Sequence, residues 1–369
     1  MRILVAMSGG VDSSVAAGLL AEQGHEVIGA TLQLYDHGAA TGARKGACCA
    51  GQDIHDARRV ADALGIPHYV LDREARFRRA VIEDFADTYA RGETPIPCVR
   101  CNQTVKFQDL VELARDLGCE ALATGHYARR VEGPDGAELH RAADPARDQS
   151  YFLFATTRAQ LAFCRFPLGA FPSKAAVRAA AARLRLPVAE KPDSQDLCFV
   201  PRGAYHELVE RLRPETGAPG EIVHALEGRV LGTHRGIARY TVGQGRGLGG
   251  AARQGEERLF VAGIDAGRRR ILVAPRGVLP RREVVAGEVN WLAAPPAAPL
   301  PCTVKLRARE APQPALAHWD GAALRLVLET PGIAAPGQAA VLYDGDRVLG
   351  GGFIRAAQAE AEAPRRAVA

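Results

Sequence analysis

Residues 6–14 read Ala6-Met7-Ser8-Gly9-Gly10-Val11-Asp12-Ser13-Ser14 and lie between a short apolar run and a helical pattern. Two glycines let the backbone turn tightly and approach an anion closely. The helix that follows directs its free N–H groups and the positive end of its dipole at the turn. Because the stretch lacks a Gly-Lys-Ser/Thr ending, it is not a Walker-type loop. It predicts a phosphate-binding loop between a first strand and a first helix.

Strand and helix patterns alternate from Arg2 to Thr124. This alternation predicts an α/β domain in which helices cover both faces of a parallel sheet. Ligands bind such sheets where loops leave the C-terminal ends of the strands, and residues 6–14 follow a strand in this way. One of the helices is expected to run from Val105 to Leu117, starting shortly after Cys101.

The chain changes character after about Arg202, where short β-rich runs separated by glycine-rich turns begin. A second break falls near Arg276, and the residues beyond it are typical of a small β-barrel. We therefore predict three domains at residues 1–202, 203–276 and 277–356, followed by a disordered tail at residues 357–369.

The composition is that of a folded protein with a small positive excess. Of its 369 residues 47% are apolar, and the net charge is +5, which is compatible with a nucleic-acid partner but does not require one. No stretch is long enough to span a bilayer, and the N-terminus lacks the apolar region of a signal peptide. We expect a soluble, cytoplasmic protein without a membrane partner. In that reducing compartment its eight cysteines would be chemical or structural thiols rather than disulfides.

Two cysteine-containing segments are candidates for chemistry. Cys98 and Cys101 form a Cys-x-x-Cys pair, which fits a reactive thiol, half of a zinc site or two plain thiols. A helix starting after Cys101 and nearby cations such as Lys106 would lower the pKa of that thiol, which favours a nucleophile. Cys198 follows a polar, proline-containing loop and is either a second reactive thiol or a small core residue.

The phosphate loop resembles the PP-loop of ATP pyrophosphatases, which cleave ATP between the α and β phosphates to adenylate a carbonyl oxygen. Such a loop together with two thiols supplies what replacement of oxygen by sulfur needs: an activated oxygen, a sulfur donor and a resolving thiol. The whole chain up to about Arg355 resembles the bacterial tRNA-specific 2-thiouridylases, the MnmA/TrmU family. The resemblance rests on Ser8 to Ser13, Thr94 to Asn102 with Lys106-Phe107, Ala123 to Ala128, Asp148 to Leu153, Asp193 to Phe199, Tyr240 to Gln244 and Pro336-Gly337-Gln338.

The resemblance implies a Rossmann-like catalytic domain of the adenine nucleotide alpha-hydrolase type, a central β-rich tRNA-binding domain and a C-terminal β-barrel. It implies ATP-dependent 2-thiolation of the wobble uridine (position 34) of tRNAs for Lys, Glu and Gln, with release of AMP and pyrophosphate. Mg²⁺ would accompany ATP, with Asp12 as a candidate ligand. The residues expected to bind ATP are Ala6, Met7, Ser8, Gly9, Gly10, Val11, Asp12, Ser13, Leu32 and Gly125, although Leu32 also fits ordinary strand core.

By the same resemblance, Cys198 would carry the incoming sulfur as a persulfide, loaded by an upstream sulfur carrier or cysteine desulfurase. Cys101 would be the nucleophile that resolves this persulfide, leaving a transient Cys101–Cys198 disulfide. The protein would act as a monomer. The residues expected to contact tRNA or the target base are Ile96, Pro97, Cys98, His126, Arg147, Asp148, Gln149, Arg307, Ala308 and Gln338.

The chain departs from the family pattern at two positions. The family commonly has Asn-Pro-Asp where this chain has Ile96-Pro97-Cys98, and that aspartate is thought to handle a proton. Cys98 is a poor general base unless its pKa is depressed. The aromatic residue that tends to follow the barrel arginine is replaced by Ala308, which removes a stacking contact.

Two other functions stay open at this point. A different PP-loop enzyme, such as a synthetase that uses ammonia, would need no reactive cysteine pair. A zinc-bearing RNA-binding module would use Cys98 and Cys101 as metal ligands. Taken singly, His126 also fits a loop histidine and Arg147 a solvated charge, and the sequence assigns no role to the adjacent Cys48 and Cys49.

Overall fold

The computed structural model describes residues 1–35, 49–193, 197–200 and 205–356. Cys48, the side chain of Cys49 and the predicted tail at residues 357–369 lie outside this part of the chain. Within it, no helix is long and apolar enough to cross a membrane.

The strands are numbered in chain order. They are β1 (Arg2–Ala6), β2 (Glu26–Gln33), β3 (His68–Asp72), β4 (Ala121–Thr124), β5 (Ala128–Gly133), β6 (Gly136–Arg141), β7 (Cys164–Arg165), β8 (Gly220–His224), β9 (Val230–His234), β10 (Arg253–Gln254), β11 (Glu257–Asp265), β12 (Arg270–Pro275), β13 (Arg281–Trp291), β14 (Leu300–Lys305), β15 (Gln313–Trp319), β16 (Leu324–Gly332), β17 (Ala339–Asp344) and β18 (Arg347–Ile354).

The α-helices are numbered in the same way, and short 3-10 turns join some of the elements. The helices are α1 (Val11–Glu22), α2 (Cys49–Leu64), α3 (Glu74–Phe77), α4 (Asp84–Ala90), α5 (Pro97–Cys101), α6 (Phe107–Asp116), α7 (Arg158–Phe163), α8 (Lys174–Arg183) and α9 (Tyr205–Leu212).

A five-stranded parallel sheet confirms the predicted α/β fold. Its order is β3-β2-β1-β4-β7, and every neighbouring pair is parallel. Successive side chains of β1 point to opposite faces, so that Leu4 packs into one apolar core while Ile3 and Val5 pack into another. Because both faces are covered, the central strands are almost wholly apolar, as parallel sheets require. The phosphate loop leaves the C-terminal end of β1, as expected.

The helix that carries Cys101 starts earlier than its sequence predicts. Helix α5 begins at Pro97, and a π-helical turn at Asn102–Lys106 joins it to α6. Proline is favoured at the first helical position, whereas the Cys, Val, Asn and Thr that follow are weak helix formers. Burial of Val99 and Val105 offsets that weakness. Cys101 therefore lies inside a helical segment and not just before its start.

A six-stranded barrel forms the C-terminal part of the fold, as predicted. Strands β13-β16-β15-β14-β17-β18 follow one another, and pairing of β13 with β18 closes the barrel. Leu324, Leu326 and Leu328 alternate into its core. The hairpin β5–β6 of the first domain extends the same sheet, because Arg347 on β18 pairs with His140 on β6. No pattern in the sequence predicted this hairpin.

The central β-rich part is a separate five-stranded sheet of order β10-β11-β12-β8-β9. Strand β8 runs parallel to β12, and the other pairs are antiparallel. Leu259, Val261, Ile271 and Val273 form its fully buried centre. The prediction of a small central β-rich unit is confirmed.

Candidate active site

The phosphate loop is held in shape by its own serines. Ser13 Oγ accepts a hydrogen bond from the Ser8 backbone N–H at 3.0 Å, and Ser14 Oγ donates to the Gly10 carbonyl at 2.8 Å. Gly9 has a φ of +72°, and a Cβ there would collide with the backbone of Asp53. Residue 9 must therefore be glycine, which the sequence supplies.

Gly125 closes the loop from the neighbouring strand. It follows β4, and a Cβ on it would stand 2.7 Å from the backbone nitrogen of Ser13. Only a residue without a side chain lets the end of β4 approach the start of α1 this closely. Gly125, which we expected to complete the nucleotide pocket, is therefore in direct contact with the phosphate loop.

A cleft of about 260 Å³ opens beside this loop. Leu32 and Leu110 contribute apolar surface, while Lys106, Phe107 and His126 line another part of the wall. Of the residues expected to bind ATP, seven line this cleft: Ala6, Met7, Ser8, Asp12, Ser13, Leu32 and Gly125.

The remaining loop residues are placed differently. Gly10 and Val11 line a second, adjoining cleft, and Gly9 lies behind the loop against Asp53. The second cleft has a volume of about 400 Å³ and also contains Cys198. Lys106 lines both clefts, so the loop and the Cys198 thiol open onto connected space.

Two lysines lie against the loop, and each is paired with two carboxylates. Lys174 Nζ lies 2.8 Å from both carboxylate oxygens of Asp12, and Lys191 Nζ lies 3.0 Å from the carbonyl oxygen of Gly9. Tyr127 donates its hydroxyl to Asp12 at 2.6 Å. Both oxygens of the Asp12 carboxylate thus accept hydrogen bonds from protein donors, which the expected magnesium ion would have to share or displace. Across the described ranges no group of three or more His, Cys, Asp or Glu side chains could hold a metal.

Three thiols lie close enough to Lys106 to interact with its charge. Cys98, Cys101 and Cys198 are free thiols, and the charge of each interacts with that of Lys106. Cys101 is buried with 5% of its surface exposed, whereas Cys98 and Cys198 are exposed. Burial acts to lower the pKa of Lys106, whereas charge interaction with Cys101, Cys198 and Cys98 acts to raise it, and the net shift is upward.

The thiol pKa values differ from expectation. Burial raises the pKa of Cys101, and Lys106 offsets this only in part. Although Cys198 and Cys98 reach the surface, the protein packed around their thiols desolvates them, which raises the pKa of Cys198 to about 12 and that of Cys98 above its usual value. The prediction of a lowered pKa at Cys101 was wrong, because Cys101 lies within a buried helical segment and Arg100 pairs with Glu288 instead.

His126 lies in the loop cleft and not on an outer surface. Its Nδ1 is 2.8 Å from Thr124 Oγ1, and its ring stacks on Phe107. Burial, aided by Lys106, lowers the pKa of His126 to about 3, so the ring is neutral at physiological pH. A neutral, stacked ring suits contact with a base or adenine ring better than contact with a phosphate.

The three residues of the segment Arg147-Asp148-Gln149 lie in different surroundings. Arg147 is exposed at the rim of the second cleft and pairs with Asp193 at 3.0 Å. Gln149 lines both clefts, and its side-chain oxygen accepts from the Tyr127 N–H. The Asp148 carboxylate is 0% exposed and accepts hydrogen bonds from Ala142 and Ser150. Its side chain therefore shapes the turn and is not presented to a tRNA.

The barrel is hydrogen-bonded to the segment before Cys98. Gln338 Nε2 donates to the carbonyl oxygen of Thr94 at 3.1 Å, and the Thr94 N–H donates to the Pro336 carbonyl at 2.7 Å. Ile96 and Pro97 follow directly and are buried. Gln338, expected to contact tRNA, is thus engaged in holding this segment.

Arg307 and Ala308 lie at the junction of the barrel with the rest of the chain. Arg307 Nη2 donates to the Val242 carbonyl of the central part at 3.1 Å. Ala308 packs against an apolar core on one face of the five-stranded parallel sheet. The structure does not bring this pair to the two clefts.

Lys106, Lys174, Lys191 and Tyr127 were not among the predicted site residues. Lys106 belongs to a stretch on which the resemblance rests, and Lys191 lies in the polar segment before Cys198. Both lysines are therefore near residues that the sequence had already identified as candidates. Lys174 follows Ser173, the N-cap of α8, and only the packing of α8 against α1 brings it to Asp12. No local pattern reveals that contact.

Comparison with known proteins covers nearly the whole chain. Family models match residues 1–202 (tRNA methyl transferase HUP domain), 207–275 (tRNA methyl transferase PRC-barrel domain) and 281–354 (aminomethyltransferase beta-barrel domain). A protein of Acidiphilium cryptum named tRNA-specific 2-thiouridylase MnmA is 67% identical, covering 96% of this chain and 100% of that protein. Its namesake from Rhodospirillum centenum is 61% identical, covering 98% and 94%. A solved 4-thiouridine synthetase–RNA complex with bound ATP is 15% identical with a TM-score of 0.36, covering 58% of this chain and 50% of that one, too weak a similarity to support an argument.

Proposed function

Because the chain belongs to the tRNA-specific 2-thiouridylase family, we propose that it uses ATP to replace the C2 oxygen of the wobble uridine in tRNAs for Lys, Glu and Gln with sulfur. The observation that carries this proposal is the position of Lys106, which lines both the cleft of the phosphate loop and the cleft of Cys198. A nucleotide's α-phosphate and the two thiols can then meet at one charged group.

The first step activates the base. The C2 oxygen of the uridine attacks the α-phosphorus of ATP, and pyrophosphate leaves. Backbone N–H groups at the start of α1, together with Lys174 and Lys191, would stabilise the negative charge that moves onto the leaving phosphates. Mg²⁺ would enter with ATP and neutralise its phosphates, mainly as a ligand of those phosphates, since Asp12 is already paired.

The second step transfers sulfur. The terminal sulfur of a persulfide on Cys198 attacks C2, and AMP departs with the former carbonyl oxygen. The Cys101 thiolate then attacks the Cys198 sulfur, breaks the sulfur–sulfur bond and leaves 2-thiouridine and a Cys101–Cys198 disulfide. Lys106 would stabilise each thiolate in turn, which offsets the raised pKa that burial imposes on both cysteines.

The tRNA would present its wobble uridine flipped out of the anticodon stack, which costs little in a loop. Of the predicted contacts, His126 lines the cleft of the phosphate loop, Arg147 lines the second cleft, and Cys98 is exposed. An upstream sulfur carrier or cysteine desulfurase would load Cys198, whose exposed thiol is accessible to such a donor. We further propose a cytoplasmic monomer.

Substitution of the two thiols tests this chemistry. With tRNA, ATP and a cysteine desulfurase as sulfur source, Cys101→Ser and Cys198→Ser should each abolish 2-thiouridine, measured by mass spectrometry of digested tRNA, while retaining ATP and tRNA binding. Cys302→Ser, which changes a half-buried thiol of the barrel, is the matched control and should retain activity. Normal thiouridine from either active-site variant would refute the assignment.

A further inference from the structure

We propose that Asp193 competes with pyrophosphate for one cationic site beside the phosphate loop and thereby helps this product to leave. The site consists of Lys174, Arg178 and Arg147, whose side chains all contact the Asp193 carboxylate. The inference rests on the proposed function, because pyrophosphate is the product of the step that activates the base. It gives a role to a carboxylate that lies outside the phosphate loop.

The first observation is the number of positive charges around one carboxylate. Lys174 Nζ lies 2.9 Å and Arg178 Nη2 lies 3.2 Å from Asp193 Oδ1. Arg147 Nη1 lies 3.0 Å from the other oxygen of Asp193, and Lys174 also pairs with Asp12. When the Asp193 carboxylate moves away, the three cations and Asp12 carry an excess of two positive charges. Such an excess suits a doubly charged phosphate group.

The second observation is that this carboxylate shares a cleft with the phosphate loop. Asp193 and Arg147 line the second cleft, and Ser8 and Asp12 of the loop line both clefts. The terminal phosphates of an ATP whose base occupies the first cleft can therefore extend into the second. There they would meet a carboxylate of the same charge sign, which two cations of α8 contact from the other side.

The third observation is how the chain next to Asp193 is attached. Lys191, two residues earlier, donates from Nζ to the Gly9 carbonyl at 3.0 Å, and its own carbonyl accepts a hydrogen bond from Arg178 at 3.0 Å. These contacts hold the segment against the loop on one side and against α8 on the other. The Asp193 carboxylate can then leave and rejoin the cations by rotation of its side chain, while the backbone stays in place.

Electrostatics permits the exchange in both directions. Burial acts to raise the pKa of Asp193, but hydrogen bonds and charge interaction with Lys174 and Arg147 lower it, and the net shift is downward. Pyrophosphate carries more negative charge than this carboxylate, so it attracts the same cations more strongly and displaces Asp193. When the product loosens, the carboxylate returns at the high effective concentration of a tethered group. The cations are then paired again, and the product is not retained.

The test compares pyrophosphate binding to the full wild-type chain and to Asp193→Asn. Inorganic pyrophosphate is titrated in the presence of Mg²⁺, and its dissociation constant is measured by isothermal titration calorimetry. Asparagine keeps an oxygen that accepts hydrogen bonds but removes the charge. Asp193→Asn should therefore bind pyrophosphate about fivefold more tightly or better, because a like charge close to the ligand is gone. Added pyrophosphate should likewise inhibit thiolation by this variant at a lower concentration than it inhibits the wild-type protein.

Two single variants and one double variant serve as controls. Asp193→Glu keeps the charge and should bind pyrophosphate like the wild-type protein. Asp346→Asn removes a charge from a surface pair with Arg129 and should also leave binding unchanged. In an Arg147→Gln background the gain from Asp193→Asn should shrink to about twofold or less, because one of the contested cations is missing and the two effects are coupled.

Equal or weaker pyrophosphate binding by Asp193→Asn would overturn the competition, since Asp193 would then only hold its neighbours in place. Tighter binding of tRNA in a filter assay, without tighter binding of pyrophosphate, would overturn it as well, because the cations would then serve the RNA backbone. Absence of thiouridine from the wild-type reaction would instead count against the proposed function. Calorimetry needs no sulfur transfer, so it decides the competition in either case.

Discussion

Lys106 places a positive charge near the thiols that would have to ionise in the proposed sulfur transfer. Burial raises the pKa of Cys101, and Lys106 is the group that counteracts it. Lys106→Met should therefore move the midpoint of the Cys101 alkylation rate to higher pH and reduce single-turnover thiolation by about tenfold or more, the factor that one unit of thiol pKa represents. Lys106→Arg should restore much of the reactivity, because it restores the charge.

Iodoacetamide labelling followed by peptide mass spectrometry measures the first effect. Lys305→Met is a suitable control, since Lys305 is a buried lysine of the barrel away from the thiols. If the pH dependence of Cys101 alkylation is unchanged in Lys106→Met, the charge of Lys106 does not act on this thiol.

His126 predicts a dependence of stability on pH. Its pKa is lowered to about 3 in the folded protein, against about 6.5 when unfolded. Below pH 6.5 the unfolded chain binds a proton that the folded chain does not, so stability falls with decreasing pH by at most about 1.4 kcal/mol per unit from this group. His126→Gln should be less sensitive to acid, seen as a smaller drop in the urea midpoint between pH 7 and pH 5 than in the wild-type protein.

At this scale the residues themselves identified the phosphate loop, whereas the pairing of Cys101 with Cys198 came only from the resemblance and the role of Lys106 was missed. The residues of the phosphate loop are adjacent in the chain, so glycine, serine and strand–helix order sufficed to identify it. The cluster of Cys98, Cys101, Cys198 and Lys106 joins segments about a hundred residues apart, and burial reversed the predicted direction of the Cys101 pKa. Local sequence carries no information about that burial.

Among the elements, α5 is held by the barrel at both ends. Thr94, before the helix, bonds to Pro336 and Gln338, while Arg100 forms two hydrogen bonds with Glu288 at 2.7 and 2.9 Å. The Arg100 guanidinium also lies 4.0 Å from the ring centre of Phe353. Glu288 adopts a φ of 48°, a strained conformation for a residue with a side chain, which costs on the order of 1 kcal/mol. We infer that this strain is maintained by the contact with Arg100.

Loss of the contact between Arg100 and Glu288 should reduce activity more than it reduces stability. In Glu288→Gln, thiolation should fall by about three- to tenfold through a lower kcat, while the melting temperature changes little, because partly exposed ion pairs contribute at most about 1 kcal/mol. The exchange Arg100→Glu with Glu288→Arg should recover part of the loss. Asp346→Asn breaks the similarly exposed pair with Arg129 and is the control. Equal losses of kcat in Glu288→Gln and Asp346→Asn would show that the contact does not position α5.

The elements that the sequence mispredicted are those that depend on partners. Helix α5 is stabilised by burial of Val99, and the hairpin β5–β6 pairs with a strand about two hundred residues later. The central strands of the five-stranded parallel sheet, in contrast, are apolar over most of their length and could be located from the sequence alone.

For the whole molecule, contacts between basic side chains and tRNA phosphates predict binding that weakens with salt, because those contacts release counterions. Plots of log affinity against log salt concentration, from filter binding, should have a negative slope. Arg147→Ala should make the slope shallower by about one unit if Arg147 contacts a phosphate. Arg183→Ala, on the outer helix α8, should leave it unchanged. A slope that does not respond to salt would argue against phosphate contacts altogether.

The bond between Thr94 and Pro336 has a consequence for biosynthesis. Domains usually fold in the order in which they leave the ribosome, yet the segment that carries Cys98 and Cys101 receives its anchor from residues near the end of the chain. A nascent chain with a folded nucleotide pocket would still lack the support for its reactive helix. Thiolation would therefore begin only after translation has passed residues 336–338 and the barrel segment that carries them has folded.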